Sequence, residues 1–103
     1  MKEKDIIYDA IAKIDKLCQK IINKENYMME MPICIQAINQ ACEIIFKYSD
    51  QSKEIIPILE DVMYGMTQRD EVFLLDVLRY GMKDRMNKIG NGLEVNKRES
   101  EYE

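Results

Sequence analysis

A chain of 103 residues, 47% hydrophobic and 33% charged, can bury a core without disulfides or metals and is too apolar to be intrinsically disordered. Its 15 basic and 19 acidic residues leave a net charge of −4, and no basic run is longer than Lys97–Arg98, which excludes the stripe of positive charge that a nucleic-acid partner needs. Charges interrupt the first ten residues every few positions, and the longest uncharged stretch, Met31 to Cys42, falls short of the ~20 residues of a spanning helix, so neither a signal peptide nor a membrane segment is expected.

The apolar residues Ile6, Ile7, Ala10, Ile11, Ile14, Leu17, Cys18, Ile21 and Ile22 recur at steps of three and four. They cover an arc of about 160°, one amphipathic helix over about 3–23. Asn23 to Asn26 breaks the pattern, and Pro32 suits the first turn of a second helix over about 31–48. The apolar set of that helix, from Ile33 to Tyr48, wraps about 220° and predicts the most buried element. Ser49 to Ser52 supplies turn and N-cap chemistry before a third helix marked by Ile55, Ile56, Ile58, Leu59, Val62, Met63 and Met66. Pro57 near its start predicts a late beginning or a kink. Thr67 or Asp70 can cap a fourth helix, about 71–88, that ends before Gly90 and Gly92. The remainder, NGLEVNKRESEYE, has no periodic apolar face and reads as a frayed tail. The expectation is an all-α fold, an up-down antiparallel four-helix bundle over 1–90 with a short disordered, flexible tail over 91–103.

The absence of histidine removes Ser-His-Asp and Cys-His arrangements, His-bearing zinc sites and the Glu-x-x-His ligands of di-iron bundles. No acidic residue has another three places later, so the paired carboxylates of a magnesium-dependent bundle enzyme are missing too. Asp5 and Asp9, one turn apart on the first helix's polar side, read as a solvated surface. Gly65, Gly81, Gly90 and Gly92 sit in or after helices and form no phosphate loop. Cys18, Cys34 and Cys42 are an odd number without a CxxC, best read as reduced thiols packed as small hydrophobes in a cytoplasmic protein. A hairpin folded near residue 26 brings Cys18 opposite Cys34. Asp9/Lys13, Glu43/Lys47 and Asp84/Lys88 are ordinary helical ion pairs. Tyr64 lies on the polar side of its helix, and Met63, Met66, Met82 and Met86 keep helical spacing and read as core filler. No catalytic, cofactor-binding, metal or small-molecule site is expected.

The fourth helix is the informative one. Leu74, Leu75, Leu78, Met82 and Met86 form one stripe, and Phe73, Val77, Tyr80 and Gly81 form a second, roughly 100–150° away on an ideal wheel. The second stripe either meets a neighbouring helix or forms a partner surface, with Phe73 and Tyr80 as aromatic anchors and Gly81 admitting a close backbone. The segment ILEDVMYGMTQRDEVFLLDVLRYGMKDRM, with its spacing Asp70-x-Val72-x-Leu74-x-Asp76-x-Leu78-x-Tyr80, resembles the C-terminal part of small all-helical bacterial proteins of uncharacterised function. Where that pattern often has an acidic residue after the tyrosine, this chain has Gly81. The resemblance implies a helical fold and no activity. These readings converge on a non-enzymatic protein that works by protein–protein contact, as a homodimer with Phe73, Val77, Tyr80, Gly81 and Asp84 as its candidate interface. The alternative is a small export or assembly chaperone that takes a partner's amphipathic helix between its own helices.

Overall fold

The computed structural model describes residues 3–48 and 52–101, and every regular element among them is helical. Helix α1 spans Glu3–Ile22, α2 spans Glu30–Tyr48 and α3 spans Ser52–Gln68. Helix α4 follows in three continuous parts: α-helical Glu71–Asp76, a π-helical turn Val77–Met82, and α-helical Lys83–Glu101. At 1.5 Å per residue these 31 residues are about 46 Å long, which accounts for the long axis of a body measuring 50 × 24 × 19 Å. No helix among the described residues is long and apolar enough to cross a membrane.

The first helix follows the centre of its sequence pattern: Ile7, Ala10, Ile11, Ile14, Leu17, Cys18 and Ile21 are all buried, while Ile6 is half-buried and Ile22, at the edge of the arc, is 46% exposed. In α2 the centre of the apolar arc is buried, from Cys34 through Ile45, but its edges at Ile33 and Phe46 are exposed. Pro57 sits inside α3 without delaying its start at Ser52. The turn chemistry read over 49–51 lies outside the described residues. Asp70 caps α4, the backbone N–H of Phe73 donating to its Oδ1 at 3.1 Å.

Two helix ends close without glycine. Lys24 and Arg69 take the left-handed conformation, with φ of 59° and 55°. Behind them the Glu25 N–H donates to the Lys20 carbonyl at 2.9 Å, and the Asp70 N–H to the Gly65 carbonyl at 3.1 Å. Each is the six-to-one closure that ends a helix on a left-handed residue, here at positions where glycine would be less strained.

The expected stop before Gly90 is not found, because the helix runs on to Glu101 with no glycine at positive φ. Gly90 is instead a packing residue. A Cβ there would come within 3.1 Å of the Tyr8 ring, so its lack of a side chain lets the aromatic lie against the helix. The tail expected over 91–103 is thus helical backbone through Glu101, and its last two residues lie outside the described ones.

Named contacts set the directions of the helices. The Tyr8 hydroxyl donates to Asn91 Oδ1 at 2.8 Å, Lys83 Nζ meets Asp15 Oδ1 at 2.7 Å, and the Tyr27 hydroxyl donates to Glu71 Oε1 at 2.8 Å. Residue numbers rise along α1 as they fall along α4, so the two are antiparallel. In the same way Glu54 meets Arg85 at 2.8 Å, Ile58 lies over Gly81, and Gly65 lies against Phe73 and Leu74, which sets α3 antiparallel to α4. Helix α2 packs along α1, whereas α2 and α3 make no comparably close approach to each other. The core is apolar, with no polar or charged residue fully buried among the described residues.

Candidate protein interface

Helix α4 carries large apolar residues at a strict four-residue interval, Leu74, Leu78, Met82 and Met86, and all four are buried. On an ideal α-helix each such step advances the stripe by about 40°, so Met86 would lie about 120° from Leu74. The π turn over Val77–Met82 puts more than four residues into each turn, so four residues fall short of a full rotation and most of that drift is cancelled. One side of α4 can then face the core from Leu74 to Met86.

The second stripe divides between the interior and the surface. Phe73 is half-buried, packed edge-on to Tyr64 with ring centroids 5.7 Å apart, and its Cδ1 would lie 3.2 Å from a Cβ at Gly65. Val77 is half-buried against the core. Gly81 sits beneath Ile58, whose Cγ2 would be 3.3 Å from an added Cβ. The two glycines therefore bring α3 and α4 close together, and α3 covers much of the stripe. Tyr80 is 70% exposed, with the Arg79 guanidinium 5.4 Å from its ring centroid. Asp84 is exposed and pairs with Lys88 at 3.2 Å. Of the five candidate interface residues, Phe73 and Gly81 thus lie against α3, Val77 packs on the core, and Tyr80 and Asp84 are exposed.

A more extended apolar edge runs along the α2–α3 seam. On α3, Gly65 and Ile58 face α4, and Leu59, Met66, Met63 and Ile56 lie roughly 80–160° further round the helix. On α2, Met31, Ile35 and Phe46 share one side with the buried Cys42. Met28 and Met31 meet Gly65, Met66 and Leu74 around a cavity of about 40 Å³, which brings the start of α2 near the end of α3. The helices are not close enough to cover this edge: Phe46 is 45%, Ile56 44% and Met63 49% exposed. Four of the eight methionines, Met28, Met31, Met63 and Met66, lie along it. Met63 and Ile56, read from sequence as core filler and core stripe, are rim residues, because α3 buries only its Ile55–Val62 side completely.

Cys18, Cys34 and Cys42 are free and buried. Burial pushes the Cys18 and Cys42 thiols up to about 11 and that of Cys34 up to about 12, the opposite of an activated nucleophile. Glu30 accepts from Lys20 at 2.9 Å, and this hydrogen bond holds its carboxyl below the usual carboxylate range. The hydrogen bond to Glu71 pushes the Tyr27 phenol up. The expected Asp9–Lys13 pair forms at 2.9 Å. A groove of about 170 Å³ lined by Ala12, Lys13, Lys16, Glu30 and Ile33 is smaller than the ~300–1,000 Å³ of typical small-molecule sites. No group of three metal-ligating side chains converges among the described residues. No family model matches this chain, and no curated protein or solved structure shows significant similarity to it.

Proposed function

We propose that this protein is a non-enzymatic, cytoplasmic up-down helical bundle that acts through protein–protein contact, with a second copy of itself as the partner. The observation that carries the reading is the α2–α3 edge, where Phe46, Ile56 and Met63 leave about half their surface in water beside the partly buried Met31, Ile35, Leu59 and Met66. An apolar strip of this kind gains from being covered, and each CH₂ group removed from water contributes about 0.8 kcal/mol. A twofold dimer covers the same strip on both copies at once. Helix α4 offers less, because α3 already packs on Phe73 and Gly81, leaving Tyr80 and Asp84 at its surface. Three free thiols accord with a reducing compartment.

The methionines along the seam favour a second reading, a chaperone that docks a partner's amphipathic helix there, since flexible thioether side chains adapt to varied surfaces. Light scattering on the wild type, Met63→Lys and Tyr80→Lys separates these readings. A dimeric wild type, a monomeric Met63→Lys and a dimeric Tyr80→Lys support self-association through the seam. Loss of the dimer in Tyr80→Lys alone moves the interface to α4. A wild type that stays monomeric at high concentration removes the homodimer and leaves the chaperone.

A further inference from the structure

We infer that the second copy docks with its α3 antiparallel to this one, about a twofold axis level with Ile56 and Pro57, and that reciprocal Lys53–Glu60 ion pairs set the register. The inference rests on the proposed self-association and names its geometry. Lys53 and Glu60 are both exposed, and neither has an ion-pair partner among the described residues. They lie two turns apart on one flank of the Ile56–Met63 stripe. The same flanks of two helices meet when the helices pair antiparallel. With the axis between Ile56 and Pro57, Lys53 comes level with the partner's Glu60, and Glu60 with the partner's Lys53. Ile56 then packs on its own symmetry mate close to the axis.

Phe46, 45% exposed near the end of α2, is further apolar surface that a second copy can cover. A flank carrying one lysine and one glutamate complements itself, whereas a partner chosen for strong charge of one sign would meet repulsion from one of the two. That self-complementarity makes a second copy the occupant that fits this edge.

Charge reversal tests the pairing. Sedimentation equilibrium of the full chain is compared for the wild type, Lys53→Glu, Glu60→Lys and the double variant, with far-ultraviolet circular dichroism confirming that all four are folded. Each single reversal sets two like-charged pairs across the axis and is expected to weaken dimerisation about tenfold or more. The double reversal restores both pairs and is expected to return the dimer to near wild-type strength. A dimeric wild type with no change in the single variants, or no recovery in the double, overturns the register while leaving self-association standing. A monomeric wild type overturns both.

Discussion

Alanine at Gly65 tests whether α3 truly covers the second stripe of α4. In an open helix, replacing glycine with alanine stabilises by about 1 kcal/mol, because alanine loses less backbone freedom on folding. At Gly65 the new methyl would lie 3.2 Å from the Phe73 ring and 3.3 Å from both Cα and Cβ of Leu74. The ring can turn, but the Leu74 backbone cannot yield without moving α4, and overpacking of this sort costs about 1–3 kcal/mol. The net expectation for Gly65→Ala is a loss of about 1 kcal/mol. At a urea dependence near 1 kcal/mol per molar, that lowers the unfolding midpoint by about 1 M. Gly92 provides the control, since a Cβ there meets nothing within 4 Å, and Gly92→Ala should leave stability unchanged or raise it by up to about 1 kcal/mol. Gly65→Ala should therefore lower the midpoint, whereas Gly92→Ala should not. A double-mutant cycle with Phe73→Leu should show coupling of at least about 0.5 kcal/mol, because the two side chains compete for the same space. If Gly65→Ala stabilises as much as an unhindered site does, the α3–α4 packing is wrong and Phe73 is available to a partner.

Four further outcomes follow from the same geometry. Asp70→Ala should cost about 1 kcal/mol in urea unfolding, since the first turn of α4 loses the acceptor for the Phe73 N–H, and Asp70→Asn should keep most of it. Arg69→Gly should raise the thermal midpoint by the equivalent of about 1 kcal/mol, because glycine holds φ near 55° without the strain an L side chain carries there; a lowered midpoint would contradict the helix closure. At pH 8 a thiol of pKa about 11 is about 0.1% thiolate, so labelling of Cys18, Cys34 and Cys42 should be slow in the native protein and reach three per chain on unfolding; three rapidly labelled native thiols would contradict their burial. Glu30, held below the usual carboxylate range by Lys20, contributes stability that is present above its unfolded value of about 4.3 and lost as pH falls through its folded value. The wild type should therefore lose more stability than Glu30→Gln between neutral pH and pH 3, and parallel acid profiles would contradict the pairing.

Helix α1 was legible in its spacing because seven of its nine apolar residues are buried on one face, and Asp70 was legible as a cap because its side-chain oxygen reaches the N–H three residues on. The ends of α1 and α3 carried no such sign. Lys24 and Arg69 occupy a conformation that sequence rules associate with glycine. Conversely, Gly90 looked like a stop signal and proved to be a seat for Tyr8, since close approach and helix termination both favour glycine. The π turn had one sequence signature, the unbroken four-residue interval from Leu74 to Met86, which a wheel of 3.6 residues per turn spreads into an arc. The second stripe was correctly seen as apolar. Its covering was not readable from α4 alone, because it depends on Gly65 and Ile58 of another helix. The exposed α2–α3 edge was hidden for a related reason: residues at the limits of an apolar arc become core or rim according to how closely the neighbouring helix approaches.

Methyl-region NMR of the wild-type chain across a dilution series tests self-association through the α2–α3 edge most directly. Met63 and Ile56 lie on the exposed edge, while Met82 and Met86 are fully buried in α4 and act as internal controls. Dilution should shift the Met63 and Ile56 methyl signals together along one binding curve and leave Met82 and Met86 in place. Spectra that do not change with concentration, or shifts confined to the surroundings of Tyr80 and Asp84, would contradict it.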